Sequence, residues 1–402
     1  MTESRIASRV RRIKPSPSGA AADRALELKR QGKDLISLVI GEPDFDTPGH
    51  IRQAAIKAID GGDTRYPHNW GTMALREAIA RKLERENAIQ YPVGQILVTH
   101  GAKSAIFLAL SATLEPDDEV IVPAPYWVSY PDMVLANEGT PVIVACREET
   151  GFKLTAERLA AAITPRTRWL LINSPSNPTG ATYTRDEYRA LADVLLEHPH
   201  VMVMTDEIYE HIRFDGRDNP HLVAIEPRLR ERVLIINGVS KTYAMTGFRI
   251  GFAAGPVDLI KAMAKLKSQS AGTSCSISQA AAVAAYDGDP AFIETSRATY
   301  QARRDRVVGL INAIPGLHCL APEGAFYLYV NCAGLIGKRT PQRLVLDDDQ
   351  AVVMYLLEHA GVALVAGTAY GLSPYFRASI ATSLENLEEG VARIARAVSA
   401  LT

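Results

Sequence analysis

The 402-residue chain carries 44 basic and 45 acidic residues, a net charge of −1, so it offers no global field for holding nucleic acid or an anionic membrane. Its hydrophobic (47%) and charged (22%) fractions are those of a globular protein and exclude disorder and fibrous repeats. The length implies two domains or one enlarged α/β domain with room for a buried pocket, and a small-molecule partner is the expectation that remains.

Residues Arg5, Arg9, Arg11, Arg12 and Lys14 precede no apolar signal core, and no apolar run reaches the roughly 18 residues of a membrane span. The start therefore reads as having no export signal and no anchor; its basic residues also fit an organellar presequence, against which stands the resemblance given below, which begins at Arg9 and implies an arm of the mature protein. Residues 18–31 carry helical periodicity ahead of the first sheet segment. Short Val- and Ile-rich runs then alternate with longer helical patterns, the signature of a mostly parallel sheet covered by helices. The expected strands are 95–99, 119–122, 141–145, 168–173, 201–206, 233–237 and 250–254, and the expected helices 73–86, 102–113, 185–196 and 257–266. After about residue 287 the pattern changes to long helices, 292–314 and 349–361, with short strands near 325–330 and 376–380, which reads as a smaller α+β domain. Cys146, Cys275, Cys319 and Cys332 are scattered without a Cys-x-x-Cys pair and fit a reducing, cytoplasmic setting.

Five unusual segments fall at expected strand ends, on the edge where open α/β sheets bind ligands. Gly101-Ala102-Lys103-Ser104 opens a helix whose free N–H groups suit a phosphate, with a plain glycine turn as the alternative. Pro123 to Trp127 places a rigid aromatic to stack on a flat heterocycle, although a core role is commoner for Trp. The tight turn from Ser174 to Gly180 leaves the Asn177 amide free to bond a phenolate, or is an ordinary Asn-Pro turn. Asp206 ends a strand, where an aspartate can hold a pyridine nitrogen protonated, with Tyr209 near the ring oxygen.

The fifth and richest segment runs from Asn237 to Arg249. A lysine forms an imine with an aldehyde cofactor, and Ser240, Lys241 and Arg249 can each reach one anionic ligand, which points to pyridoxal phosphate. Alone, a lysine after a strand is more often a solvated surface residue. Asp206, Glu207, Glu210 and His211 also resemble a metal cluster. Against this, consecutive strand residues point to opposite faces, no second His pair lies nearby, and Glu210 with His211 is expected to cap or solvate the following turn. The chain has no His-Glu-x-x-His spacing, and 334–339 lacks the pattern of a phosphate-binding P-loop.

Together with Lys14-Pro15-Ser16, Gly41 to Pro48, Pro125 to Pro131, Thr205 to His211, Ser268-Gln269-Ser270 and Pro374 to Arg377, these segments resemble fold-type I pyridoxal-phosphate enzymes, specifically class I aminotransferases, from Arg9 to about Arg396. The nearest form is the prokaryotic-type aspartate aminotransferase branch, which also includes prephenate aminotransferases. The resemblance implies an α/β large domain with a mostly parallel seven-stranded sheet between helices (46–294), a smaller α+β domain (14–45 with 295–402) and an N-terminal arm (1–13). It implies that Lys241 forms the internal aldimine and shuttles the proton between Cα and the cofactor C4′. Asp206 would pair with the pyridinium, Asn177 and Tyr209 bond the ring oxygen and Trp127 stack, while Ser240, Arg249, Gly101 and Ala102 hold phosphate. Arg377 would clamp the substrate α-carboxylate and Gly41 close over it. Tyr66 resembles the tyrosine that reaches the partner subunit's phosphate, which implies a homodimer with shared sites.

The reaction so implied is ping-pong transamination of L-aspartate with 2-oxoglutarate. A dicarboxylate needs a second cation, and no Arg lies between Arg249 and Arg297, where better-known aspartate enzymes take theirs. In this branch a lysine in Gly-Ala-Lys fills that place, here Lys103, with Lys14 assisting; a lysine in a helix's first turn is unfavourable for the dipole, which favours a functional reason. Prephenate-using relatives tend to carry Thr where this chain offers Ser18, and Phe248 and Ile380 stand where Trp and Tyr are frequent. The alternatives are a prephenate, aromatic or alanine-type aminotransferase, a non-catalytic sensor, for whose added DNA-binding domain the segment before Gly41 is expected to be too short, and a metal-dependent hydrolase built on Asp206 and His211.

Overall fold

The computed structural model describes residues 6–15 and 17–402, the side chains of 16–22 excepted, so Arg5, Ser16 and the Ser18 hydroxyl lie outside the described residues. After β1 (Ile36–Ser37), seven strands make the main sheet: β2 (Ile96–Thr99), β3 (Glu119–Ala124), β4 (Thr140–Ala145), β5 (Thr167–Asn173), β6 (Met202–Asp206), β7 (Val233–Gly238) and β8 (Gly251–Ala254). They lie in the order β2-β8-β7-β6-β5-β3-β4 and differ from the expected runs by no more than two residues at either end. Neighbours are parallel except around β8, which is antiparallel to β2 and β7.

Both faces of the sheet are buried, the usual condition of a parallel sheet. Ile96, Val98, Ile121, Leu170, Ile172 and Val203 pack with apolar residues of helices Met73–Asn87, Arg185–Glu197 and Ser276–Asp287. Leu97, Val120, Val122, Trp169, Leu171 and Met204 face Ala102–Thr113 and Val257–Gln269. Side-chain caps start two of these helices: Thr72 accepts from Leu75 N–H, and Thr184 with Glu187 forms a reciprocal capping box.

A second, antiparallel sheet is built from β9 (Tyr327–Asn331), β11 (Val365–Ala366) and β12 (Tyr375–Ser379), while β1 pairs in parallel with β10 (Val362–Ala363). Its core joins Tyr327, Leu328 and Phe376 to residues of helices Ala291–Asn312, Asp349–Tyr355 and Leu384–Ser399. The helix expected over 349–361 is α-helical only to Tyr355; it widens into a π-helical turn over Leu356–Ala360 and ends at Gly361, whose φ is +66°. The early segment joins this unit through backbone bonds from Leu38 N–H to the Ala363 carbonyl and from Ser379 N–H to the Leu38 carbonyl.

Strand direction fixes where the site lies. Thr99, Asn173, Asp206 and Gly238 end their strands at one edge, and the antiparallel β8 begins there, with Gly251 opposite both Thr99 and Gly238. Arg249 is thereby delivered to the same edge. At Gly251 a Cβ would lie 2.5 Å from Ala102 N and 2.6 Å from Gly101 C, so only glycine lets the 99–102 turn close onto β8. Gly251→Ala is accordingly expected to lower unfolding free energy by about 1–3 kcal/mol, the usual range for overpacking, as measured by denaturant titration.

Candidate active site

At this edge lies a cavity of about 570 Å³ lined by Gly41, Ala102, Lys103, Trp127, Asn177, Asp206, Tyr209, Ser240, Lys241, Arg249 and Arg377, all singled out from the sequence. Lining it too are Glu42, Tyr130, Asn173, Thr246 and Tyr327, which sequence reasoning did not single out.

Asp206 is buried at the end of β6. Its Oδ2 accepts from the Tyr130 hydroxyl at 2.7 Å and its Oδ1 from Ile208 N–H at 3.3 Å. Burial pushes its pKa up to about 6, with the Tyr130 bond opposing. Asn173, its neighbour across the ladder, donates to the Asp206 carbonyl and accepts from Asn177 N–H, both at 2.8 Å, so one side chain sets both positions. The Tyr209 and Tyr327 hydroxyls are 2.8 Å apart, and burial keeps the Tyr209 phenol well above its ordinary pKa, hence protonated and able to donate.

Lys241 follows β7, and its Nζ donates to the Gly41 carbonyl at 2.5 Å. Burial lowers its pKa to about 8, against the pull of the Glu42 carboxylate. Beside it, the N-terminus of Ala102–Thr113 and Arg249 form a cup of donors for an anion. Arg249 sits at φ +55° and donates to the Thr246 carbonyl at 2.8 Å, and a Cβ on Gly101 would lie 2.7 Å from its Nη2. Gly101 thus lets the guanidinium approach the helix end.

Arg377, buried on β12, donates to Asn177 Oδ1 at 3.1 Å and to the Val39 carbonyl at 2.6 Å, and its guanidinium lies 4.4 Å from the Tyr327 ring centroid. Its Nε is buried without a partner among the described residues. Lys103 is exposed as a whole, yet its Nζ lies 4.7 Å over the Trp127 ring, and burial followed by the Arg249 charge lowers its pKa. Tyr130 packs edge-on to Trp127 at 5.3 Å. Three candidates fall outside the cavity lining: Gly101 lies behind Ala102, Tyr66 is 94% exposed, and the exposed Lys14 is tied by its backbone N–H to Asp132 Oδ1 at 3.0 Å.

The environment of Glu210 corrects one expectation. Rather than solvating a turn it is buried against Lys82, and a second histidine, His221, comes within 2.8 Å of Glu207. Glu207, Glu210 and His221 converge closely enough to share an ion, but the Lys82 ammonium already contacts Glu210.

The cavity therefore combines a half-buried lysine, a buried acid, an indole and an anion cup, the donor set that a phosphorylated pyridine aldehyde requires. Residues 33–394 match the aminotransferase class I and II family, and the chain belongs to it. Enzymes of this family depend on pyridoxal phosphate, which the residues present fit. An aspartate/prephenate aminotransferase of Cereibacter sphaeroides is 54% identical, the match covering 95% of this chain and 96% of the relative. The solved aspartate aminotransferase of Rhizobium meliloti is 51% identical with a TM-score of 0.97, covering 100% of both chains. The Thermus thermophilus aspartate aminotransferase with maleate is 41% identical with a TM-score of 0.92, covering 98% of this chain and 100% of that one.

A carboxyl whose folded pKa is raised binds its proton more tightly in the folded state, so its contribution to stability falls as pH rises from about 4 through 6. Asp206→Asn removes that cost. The apoprotein is expected to gain about 1–3 kcal/mol at pH 7.5, with the gain vanishing near pH 4, in denaturant unfolding across that range.

Proposed function

We propose that the enzyme transfers the amino group of L-aspartate to 2-oxoglutarate, giving oxaloacetate and L-glutamate in two half-reactions that share one site. The observation that carries this reading is the presence of two separate cations, Arg377 and Lys103, in the cavity that holds Lys241. One suits the α-carboxylate and the other the distal carboxylate of a four- or five-carbon diacid. Support comes from the names of the relatives and from maleate, itself a dicarboxylate, in the Thermus enzyme.

When bound, pyridoxal phosphate supplies an aldehyde that takes up the amino group and a ring that withdraws electrons from Cα. Lys241, with its amine pKa near 8, exists partly uncharged at neutral pH, so it can attach the aldehyde and, once displaced, carry the proton between the substrate Cα and C4′. Asp206 holds the ring nitrogen protonated, Tyr209 and Asn177 donate to the ring oxygen, and Trp127 stacks. Ser240, Arg249 and the Gly101 and Ala102 N–H groups bind the phosphate, and Gly41 covers the substrate. The outward-facing Tyr66 completes the phosphate site of a second subunit, which makes a homodimer the working form, and Lys14 assists Lys103 from the N-terminal segment; the scattered cysteines fit a cytoplasmic setting. The chain divides into 46–294 and 14–45 with 295–402, the helix Ala291–Asn312 running through the junction. Prephenate is the second reading, favoured by the Cereibacter relative's name.

Mixing the holoenzyme with L-aspartate and no keto acid is expected to replace its visible absorption by a near-ultraviolet band. Visible absorption that then returns on adding prephenate but not on adding 2-oxoglutarate would shift the assignment to the second reading. Lys241→Ala is expected to abolish turnover while thermal unfolding stays cooperative. Lys103→Met is expected to lower kcat/KM for aspartate about 10–100-fold, the worth of one charge-assisted hydrogen bond, and to leave alanine turnover within about twofold.

A further inference from the structure

Among the described residues, helix Met73–Asn87 contributes nothing to the lining of the cavity. Two of its side chains, one turn apart, nevertheless reach the segments that carry Asp206 and Lys241. Lys82 is fully buried; its Nζ contacts Glu210 Oε1 and donates to Asn87 Oδ1 at 2.8 Å. Glu210 Oε1 also accepts from Asn237 Nδ2 at 2.6 Å, and Asn237 Oδ1 accepts from Gly238 N–H at 2.7 Å at the end of β7. Glu210 stands four residues after Asp206, and Asn237 four before Lys241. A second tie runs alongside: Glu86 Oε2 lies 2.9 Å from His211 Nε2, and His211 Nδ1 lies 3.1 Å from Oγ1 of Thr242, the residue after Lys241.

A buried ion pair is a poor way to gain stability, because desolvation consumes most of the attraction. Here burial opposes the charge on Glu210, and Lys82, followed by His211 and His221, outweighs it and holds the carboxyl well below its ordinary range. What such a pair adds is a fixed separation between the chains it joins. We propose that Lys82 and Glu86 are positioning residues: through Glu210 and His211 they fix the loop bearing Lys241 against the strand end bearing Asp206, and so set the amine relative to the ring nitrogen's partner. The proposal rests on the roles given above to those two residues.

The test uses the holoenzyme and two variants. Lys82→Met/Glu210→Gln removes both charges together, so that no buried charge is left unpaired, and Thr242→Val cuts the second tie without altering charge. The readouts are the pH at which the visible absorption of the substrate-free holoenzyme titrates, the thermal unfolding of the apoprotein, and kcat and KM for the amino donor. The double variant is expected to fold and load, with a titration midpoint moved by about half a unit or more, kcat about tenfold lower and KM within about twofold. A folded, loaded double variant with the parent's midpoint and kcat overturns the proposal. Should it fail to fold, Thr242→Val decides: a moved midpoint supports the tie, and an unmoved one overturns it. The titration is read with no amino acid present, so an error in the donor assignment leaves it unchanged and the two failures are told apart.

Discussion

Two ionisable groups facing one cavity, Asp206 buried and Lys241 half-buried, impose the main constraint on this protein. Burial raises the Asp206 acid to about 6 and lowers the Lys241 amine to about 8, so each is held by withdrawal from water near the point where it changes charge. Among the described residues neither is neutralised by a direct ion pair; the Tyr130 hydroxyl serves the acid and the Gly41 carbonyl the amine. Such an arrangement costs stability in the ligand-free protein, and the surrounding fold must supply enough packing to carry it. The buried layers on both sheet faces do so, and they hold Asn173, Asp206 and Gly238 in register at one edge.

Chain direction does the rest of the assembly. Parallel strands bring the loops after β3, β5, β6 and β7 to the same edge, and the one antiparallel strand, β8, reverses the chain so that a residue preceding a strand arrives there as well. Arg249 in the left-handed region and Gly101 at φ +84° are the local concessions that let a guanidinium and a helix N-terminus share one small volume. A side chain at Gly101 would fill the anion cup, and one at Gly251 would push the cup away from the sheet.

Much of this was legible in the sequence because the seven strands are short apolar runs bounded by turn residues, a pattern that local composition carries. The lining motifs were legible for the same reason, each sitting next to a readable strand end. Tyr130 escaped notice because it looks like one more aromatic on a short helix; only the fold brings its hydroxyl to Asp206. Tyr327 and Glu42 come from segments far from Lys241 in the chain, and Lys82 meets Glu210 across 128 positions, so no local pattern signals any of them. The final helix is a different case. Its stripe of Leu387, Val391, Ile394 and Val398 behind the Ser383 cap is a plain amphipathic signal that sequence reading passed over.

Two cations of the cavity donate to backbone carbonyls. Arg377 donates to the Val39 carbonyl and Lys241 to the Gly41 carbonyl, so both ends of one short segment are held by groups to which the proposed reaction gives a role. Thr246 bonded to Glu42 and Thr47 bonded to the Ala244 carbonyl hold that segment against the lysine loop. A substrate carboxylate is a stronger acceptor for Arg377 than a peptide carbonyl, by about 1 kcal/mol or more per bond. The exchange leaves the Val39 carbonyl in need of another donor, because a buried carbonyl without a partner is costly. In the proposed reaction, binding at Arg377 would thereby couple to the placement of 39–41, and through Gly41 to the amine of Lys241.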